Sequence, residues 1–190
     1  MDGRVPQAFC SKADGNQEDG VERADSMEIM PLTTKDVKSL LALYRRVTAD
    51  LKRNGVKQWD FLYPNWFVVR GDLKRGTAYG LRDGKHMIGA VVVDDRQSAS
   101  YGELPWTLDG ARCIHRLAVD PAWQGKGLGK KLLQFAEEQA RASGGGCIRL
   151  DVYSGNPGAA QLYERAGYKQ VGAIRFPMRS EPYFAYEKAL

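Results

Sequence analysis

The sequence predicts a mixed α/β protein built around one sheet. Apolar residues recur at helical spacing between residues 37 and 51 and again between residues 128 and 140. Short apolar or alternating runs, typical of strands, stand before, between and after these segments. The 190 residues fit one domain, or one domain with a tail, and a hydrophobic content of 43% is enough for an ordinary core. Strands and helices are therefore expected to share one domain.

The first half of the chain predicts a tail followed by strands and helices. Residues 1–26 are polar, rich in Gly, Asp and Glu, and without periodicity, which indicates a disordered tail before a domain over residues 27–190. After it we expect a strand over Glu28–Leu32 and then a helix, which Thr33 and Asp36 cap at its start and Asn54-Gly55 end. A short helix is expected near Asn65–Leu73. A hairpin with its turn at Asp83-Gly84 follows, and then a loop of little order over residues 94–110.

The second half predicts a strand–helix–strand–helix run and two closing strands. We expect a strand over Ala111–Val119, a helix whose apolar face runs from Leu128 to Ala140, a strand over Ile148–Tyr153, a helix capped by Asn156 and ended at Gly167, and strands over Tyr168–Ile174 and Tyr183–Glu187.

Charge and hydropathy limit the partners. The formal net charge is +5, and because residues 1–26 carry −3, the remaining chain carries +8 and favours anionic partners such as nucleic acid or a polyphosphate cofactor. No helix-turn-helix, zinc or RNA-binding signature accompanies this charge, so we expect no nucleic-acid partner. No run of about 18 apolar residues predicts a membrane span, and no apolar segment near the start predicts a secretory signal. A cytoplasmic protein without a membrane partner is the expectation.

The three cysteines do not indicate a disulfide framework or a metal site, because their number is odd and their spacings are long. Cys113 and Cys147 stand among apolar residues and are predicted to be buried thiols. His115 is near Cys113 in sequence, so a nucleophilic cysteine remains an alternative.

A glycine-rich turn between a strand and a helix is the most informative segment. Glycines at 125, 127 and 129 follow Asp120-Pro121 and open the helix that begins near Leu128. Free N–H groups and the positive end of the dipole at a helix start attract anions, and glycine lets an anion approach the backbone. The alternating glycines match neither the Walker pattern nor G-x-G-x-x-G.

The sequence Gln124-Gly125-Lys126-Gly127-Leu128-Gly129 resembles the Q/R-x-x-G-x-G/A motif of the GNAT N-acetyltransferases. A second segment, from Asn156 to Tyr168, is similar to that family's N-x-x-A-x-x-L-Y-x-x-x-G-F/Y pattern. Two motifs in order are far more specific than one. The resemblance implies acetyl-CoA as cofactor and a mostly antiparallel sheet whose fourth and fifth strands splay apart, flanked by about four helices.

The resemblance also implies which residues bind the cofactor. Backbone amides of the motif loop would hold the pyrophosphate, and the pantetheine arm would lie beside the fourth strand like an added strand. Asn156 and residues of the last helix would contact the arm. The implied set is Leu117, Ala118, Val119, Gln124, Gly125, Lys126, Gly127, Leu128, Gly129, Lys130, Asn156, Ala160 and Tyr163.

Two side chains are candidates for acid–base chemistry. Tyr163 matches the tyrosine that protonates the departing thiolate in such enzymes. His115 is the best candidate for the base, since histidine exchanges protons near neutral pH, and it stands two residues before Leu117, which predicts the same strand face. Competing bases are Glu103, Asp94, Asp95, and a carboxylate acting through water. On the next strand, Asp151 and Arg149 are expected to form a structural ion pair.

The acceptor is the least determined part. Aromatic residues in the first helices and loops are candidates for its site: Trp59, Phe61, Tyr63, Trp66 and Trp106. Protein N-termini, lysines, polyamines, aminoglycosides and small amino compounds all remain open as acceptors, and a homodimer remains open as an assembly. A CoA-binding regulatory or inactive protein with this fold is the alternative to an enzyme.

Overall fold

A seven-stranded mixed sheet forms the centre of the protein. The computed structural model describes residues 27–60, 62–177 and 179–190. The strand order is β1-β2-β3-β4-β5-β7-β6, and every neighbouring pair is antiparallel except β4 and β5, which are parallel. The strands are β1 (Ile29–Pro31), β2 (Ala78–Asp83), β3 (His86–Asp94), β4 (Ala111–Val119), β5 (Cys147–Tyr153), β6 (Lys169–Ile174) and β7 (Tyr183–Ala189).

Four α-helices flank the sheet, and the caps read from the sequence, Thr33 with Asp36 and Asn156, precede the first and the last of them. Thr33 and Asp36 form a reciprocal capping box just before the first helix, and Asn65 and Asn156 each accept a hydrogen bond from a backbone N–H of the helix that they cap. The helices are α1 (Val37–Arg53), α2 (Trp66–Arg75), α3 (Leu128–Ala142) and α4 (Pro157–Arg165). The predicted mixed fold is confirmed, while the tail over residues 1–26 lies outside the described residues.

Each face of the sheet has its own hydrophobic core. On one face Leu40 and Tyr44 of α1 and Val69 of α2 pack with buried residues of β2, β3 and β4. On the other face Leu132 of α3 and Tyr163 of α4 pack with buried residues of β3, β4, β5 and β7. The sheet is therefore covered on both sides, as the helical periodicities require.

The segment over residues 94–110 is more ordered than predicted. Ala99–Glu103 form a 3-10 helix, and Tyr101 within it is buried. Its ring packs against Trp106 at a centroid distance of 5.2 Å, and its hydroxyl donates a hydrogen bond of 2.7 Å to Asp151. No periodic pattern marked this segment, because a single turn held by two aromatic residues has no repeat.

Strands β4 and β5 separate after a short parallel ladder. Within the described chain that ladder joins Ala111–Cys113 to Cys147–Arg149 and goes no further. The pairing of β4 with β3 slips by one residue between Ala90 and Val92, and Arg116 opposite this slip has a φ of 51°. A β-bulge of this kind bends a strand and increases its twist, so it directs the carboxyl end of β4 away from β5.

Candidate active site

A cavity of about 570 Å³ fills the opening between β4 and β5. This volume is within the range of small-molecule sites. His115 on β4 and Tyr163 on α4 both line it, and α2 and the chain around residues 96–98 complete the wall. The structure therefore brings the two predicted catalytic side chains to one cavity from segments that are 48 residues apart in the sequence.

The hydrogen bonds of His115 determine which ring nitrogen carries the proton. Its Nε2 lies 3.0 Å from Oδ1 of Asp94 and 3.1 Å from the carbonyl oxygen of Arg96. Both partners only accept hydrogen bonds, so Nε2 is the donor and Nδ1 of the neutral ring is the acceptor. Nδ1 has no hydrogen-bond partner among the residues described.

Asp94 is held in its charged form. Burial raises the pKa of this carboxyl group, but the hydrogen bond and charge of His115, the N–H of Arg96 and the charge of Arg116 outweigh burial, and the net pKa is below the usual value. An ionised Asp94 fixes the orientation of the imidazole and favours a proton on Nε2.

The prediction that His115 and Leu117 share a strand face is wrong. Ile114 and Leu117, three residues apart, both pack against the core that contains α3. Since neighbouring residues of a strand point to opposite faces, His115 faces away from Ile114 and so away from Leu117. The bulge at Arg116 shifts the alternation of side chains between the two faces by one residue. The sequence around it contains no glycine that would have indicated a bulge.

Tyr163 is buried among other tyrosines at the opposite side of the cavity. Its ring lies 5.8 Å from that of Tyr168 and 6.3 Å from that of Tyr186. Burial, and secondly the charge of Asp151, raises the pKa of Tyr163 above its ordinary value. The phenol therefore stays protonated at neutral pH, and its hydroxyl makes no hydrogen bond to another described residue, so it can donate one into the cavity.

The predicted ion pair between Asp151 and Arg149 is wrong. Asp151 accepts a hydrogen bond from Tyr101, and its pKa is raised mainly by burial. Arg149 instead donates to Gln97 at 2.8 Å and to the carbonyl of Leu108 at 2.6 Å. Both of these hydrogen-bond acceptors come from the segment that the sequence left without structure, and Arg149 also forms an ion pair with Glu187 at 3.8 Å.

A buried ionic cluster lies in the cavity wall where α2 approaches β4. We call it the Asp72 cluster; it consists of Asp72, Arg75, Arg116 and Tyr63. One carboxylate oxygen of Asp72 accepts from Arg75 at 2.6 Å and from Arg116 at 2.8 Å, and Arg116 also donates to the hydroxyl of Tyr63 at 2.8 Å. The cluster ties α2 to the bulge of β4, and sequence analysis missed all its members except Tyr63.

The motif loop presents a row of backbone N–H groups. Gly125 and Gly127 have φ values of 76° and 78°, in the left-handed region that favours glycine. The six amides from Gly125 to Lys130 donate no backbone hydrogen bond to any residue that the structure describes, and the first helical bond runs from Lys131 to Gly127. Asp120, bound by Arg46 at 2.6 Å, caps the turn before the loop.

These features fit a cofactor with an anionic group and an extended amide-containing arm. The free amides of the loop and the positive end of α3 suit a pyrophosphate. The open edge of β4 at Leu117, Ala118 and Val119, where the ladder to β5 has ended, can pair with an extended chain. Gly129 and Ala160 stand at the facing surfaces of α3 and α4, and a Cβ on Gly129 would lie 3.5 Å from Leu162.

The side chains expected to contact the cofactor have partners of their own. Gln124 donates to the carbonyl of Val119 at 3.3 Å, and the ammonium of Lys126 lies 4.7 Å from the centre of the Trp123 ring. Asn156 caps α4 and also donates to Gln58 at 2.7 Å. Their cofactor contacts remain predictions.

Two competing bases and the cysteine lie away from the cavity wall. Asp95 and Glu103 are exposed and do not line it, whereas Asp94 does. Cys113 and Cys147 are fully buried as predicted, and burial raises the pKa of Cys113 to about 12. A thiol with that pKa is protonated at neutral pH, which argues against a nucleophilic cysteine.

The predicted aromatic residues separate into two groups. Trp59 and Tyr63 line the cavity, whereas Trp66 is exposed beside it and Trp106 packs against Tyr101. Phe61 lies outside the described residues. Among the lining residues that sequence analysis missed are Gln58, Phe67, Phe176, Arg179 and Tyr183; they come from three separate segments with no common motif.

Nowhere in the described part of the chain do three or more His, Cys, Asp or Glu side chains gather as they would around a metal ion. Among residues 27–60, 62–177 and 179–190, no helix is both long and apolar enough to cross a membrane.

Comparison with known proteins matches residues 40–168 to the Acetyltransferase (GNAT) family. This chain belongs to that family. It is 27% identical over 155 residues to the uncharacterized N-acetyltransferase YesJ of Bacillus subtilis, covering 79% of this chain and 86% of that protein. A GNAT-family acetyltransferase from Streptococcus agalactiae has the same fold, with a TM-score of 0.75 and 22% identity, covering 86% of this chain and 95% of that one.

A further structure with this fold is yncA from Salmonella typhimurium, solved with its cofactor acetyl-CoA; the TM-score is 0.65 at 17% identity, covering 87% of this chain and 94% of that one. Membership of the GNAT family makes this chain an acyltransferase, and its activity is N-acetyl transfer.

Proposed function

We propose that this enzyme transfers the acetyl group directly to an amine while both substrates are bound, with His115 as the base and Tyr163 as the acid. Acetyl-CoA is the cofactor, and it supplies an acetyl thioester whose sulfur leaves as a thiolate. The observation that carries the proposal is the cavity itself, since it opens at the diverging ends of β4 and β5 and has His115 and Tyr163 in its wall.

His115 would deprotonate the acceptor through Nδ1. An ammonium group must lose a proton before its nitrogen can form the new amide bond. Because Nε2 donates to Asp94 and to the carbonyl of Arg96, Nδ1 has the free lone pair and can take that proton. The adjacent carboxylate stabilises the resulting imidazolium, and solvent at the mouth of the cavity then removes the proton.

Tyr163 would donate its proton to the departing thiolate when the carbon–sulfur bond breaks. A thiol usually has a pKa of about 8.5 and a tyrosine about 10, so in water this transfer is unfavourable. Burial raises the pKa of Tyr163 and would also raise that of a leaving thiol, as it does for the Cys113 thiol in the same protein. A thiolate formed in a comparably dry place is a stronger base than in water, so it can take up the proton of a phenol that is itself buried.

Backbone groups would supply the remaining stabilisation. The carboxyl end of β4 carries N–H groups that are no longer paired to β5. Donors that are fixed before the reaction can polarise the acetyl carbonyl without reorganising, which is the usual source of large rate effects.

The test compares His115→Gln and Tyr163→Phe with the matched variants His86→Gln and Tyr79→Phe. Initial rates of thiol release from acetyl-CoA are measured over a panel of amines, and thermal melts with saturating acetyl-CoA report cofactor binding. We expect each site variant to lose about 10²- to 10⁴-fold in kcat/KM and to keep its acetyl-CoA-dependent rise in Tm. The two matched variants should retain the rate.

Each other outcome points to a different mechanism. A His115→Gln enzyme with its rate intact would assign the base to another group. A rise in Tm with acetyl-CoA but no thiol release for any amine would favour the regulatory or inactive CoA-binding protein.

A further inference from the structure

The wall of the cavity carries more arginine than aspartate. Its described residues include four arginines and three aspartates: Arg75, Arg96, Arg116 and Arg179, against Asp72, Asp94 and Asp151. An amine acceptor is itself a cation before it reacts, so a wall with surplus positive charge is unexpected for an acceptor that has only amines.

The Asp72 cluster accounts for part of the surplus. Arg75 and Arg116 both bind the same carboxylate oxygen of Asp72, so one negative charge compensates two positive charges. Asp72 is 1% exposed and burial raises its pKa, and any protonation would only increase the positive excess. Arg179 is compensated by Asp60 at 2.7 Å, so it adds nothing to the surplus. Asp151 accepts a hydrogen bond from Tyr101 and burial raises its pKa, which leaves Asp72 and Asp94 to balance Arg75, Arg96 and Arg116.

Arg96 is the arginine with no compensating group. Its side chain is exposed at the cavity wall and makes neither a hydrogen bond nor an ion pair with any residue in the described ranges. Its backbone is fixed beside the base, because its N–H donates to Asp94 at 3.0 Å and its carbonyl accepts from Nε2 of His115 at 3.1 Å. The residue that carries this free guanidinium group is therefore in direct contact with His115, the group that would take the proton from the amine.

We infer that the acceptor carries an anionic group, a carboxylate or a phosphate, next to its amine, and that the guanidinium of Arg96 binds it. This inference rests on the proposed function, since it places the amine at His115. An arginine guanidinium presents paired N–H donors that match both oxyanions, and such charge-assisted bonds are the stronger kind. Polyamines and aminoglycosides carry several positive charges and no anion, so they fit this wall poorly.

The cavity wall also fits an acceptor that has an apolar group in addition to its charged groups. Phe67, Phe176 and Tyr63 offer apolar surface beside the arginines. A compound with an amine, an oxyanion and an apolar group can use all three kinds of wall. The cavity must also hold the acetyl end of the cofactor, which limits the acceptor to a small molecule or the end of a chain.

The test uses pairs of amines that differ in the anion. The carboxylate pair is L-phenylalanine and 2-phenylethylamine, with L-phenylalaninamide as a compound of the same size in which an uncharged amide replaces the carboxylate. The phosphate pair is O-phosphoethanolamine and ethanolamine, and spermidine represents polycations. Each is assayed by thiol release with the parent enzyme, Arg96→Gln, Arg96→Lys and the matched surface variant Arg45→Gln, which removes an exposed arginine of α1 outside the cavity.

We expect the anionic member of at least one pair to be the better substrate. Arg96→Gln should lower kcat/KM for that anionic member by about 10- to 100-fold, because one charge-assisted contact is lost. The kcat/KM for the amine of the pair without an anionic group should stay unchanged. Arg96→Lys should recover part of the loss, and Arg45→Gln should behave as the parent. The pair that responds identifies the oxyanion. Neutral amines or spermidine that react as well as the anionic compounds, with no selective effect of Arg96→Gln, would overturn the inference.

A binding measurement separates this inference from the proposed function. Calorimetric titration of the CoA-loaded enzyme with N-acetyl-L-phenylalanine and with O-phosphoethanolamine reports oxyanion binding without turnover. Binding weakened by Arg96→Gln in an enzyme that acetylates no amine would sustain the anion site and refute the transferase mechanism. Turnover of neutral amines without oxyanion binding would sustain the mechanism and refute the anion site. Neither binding nor turnover would refute both.

Discussion

The proposed cofactor-binding surface and the proposed acceptor side of the cavity are built from different parts of the chain. The cofactor-binding surface consists of consecutive residues, from the end of β4 through the motif loop into α3, and it presents backbone N–H groups. The acceptor side consists of side chains from the segment before α2, from α2, from the turn after β3 and from the segment before β7. One side is a local backbone conformation, whereas the other exists only after distant segments have packed together.

This difference explains how the two sides tolerate change. A backbone site depends on φ angles and on space, so it should resist the loss of nearby side chains but fail when a glycine is replaced. A side-chain site depends on ion pairs and packing, so single substitutions should affect its stability or its selectivity. The following experiments examine this contrast, beginning with the largest expected effect.

Asp72→Asn should destabilise the protein by about 3–5 kcal/mol, because it leaves Arg116 buried without a compensating charge. For a chain of this length that corresponds to roughly 2–4 °C in Tm for each kcal/mol. Chemical unfolding with urea measures it. The matched variant Asp50→Asn removes a surface pair with Arg53 at 2.9 Å and should cost at most about 1 kcal/mol. Equal losses in the two variants would mean that the Asp72 cluster does not organise the acceptor side.

Gly127→Glu should abolish acetyl-CoA binding, since it puts a carboxylate at the motif loop and a side chain on a left-handed residue. In the parent, acetyl-CoA at 100 times its Kd should add about 2.7 kcal/mol, or roughly 5–10 °C in Tm. The control is Gly84→Glu, which has a φ of 57° and equally open surroundings in the β2–β3 turn. It should keep the shift.

Truncation of the nearby cations sharpens the same point. Lys126→Ala and Lys130→Ala remove exposed charges and should leave most of the thermal shift, because the backbone carries the site. Loss of the shift in these variants would show that side chains and not amides bind the cofactor.

Asp94→Asn should lower kcat by about tenfold, because a hydrogen bond to a charged group, worth about 1.5 kcal/mol, is weakened while the carbonyl of Arg96 keeps the same tautomer of His115. The exposed neighbour Asp95→Asn should have the parent rate. An unchanged rate in Asp94→Asn would remove Asp94 from the positioning of His115.

The same variant has a signature in acid. The folded pKa of Asp94 is below its usual value of about 3.9, so its ionised form stabilises the fold above that pH, and this contribution disappears as pH falls through the folded pKa. The stability difference between the parent and Asp94→Asn should therefore shrink between pH 5 and the acid limit, roughly pH 2, in urea unfolding. A constant difference would contradict the lowered pKa.

The sequence predicted what depends on local patterns. The bounds of β4 and the caps of the helices agree with the structure because spacing, Asn and Gly act within a few residues. The motif loop was visible because its function requires glycine at fixed positions. His115 and Tyr163 were named through the family resemblance, and the structure places them in one cavity.

The rest depends on contacts between distant segments. The bulge at Arg116 has no sequence mark, and it reversed the expected orientation of Leu117 relative to His115. Asp151 accepts a hydrogen bond from Tyr101, which lies in a segment without a periodic pattern, and Arg149 binds Gln97 and not Asp151. The Asp72 cluster joins residues up to 53 positions apart, and no spacing rule selects such partners.

The single extra residue in β4 also limits how this strand can be redesigned. On a regular strand, residues two positions apart point to the same face of the sheet, so a functional group can be moved by two positions and remain on that face. Here the bulge at Arg116 interrupts this alternation. A histidine moved from position 115 to position 117 would therefore point into the layer occupied by α3 and not into the opening beside α2. The usable neighbours of position 115 on this side of the strand are 113, before the change, and 116 and 118 after it.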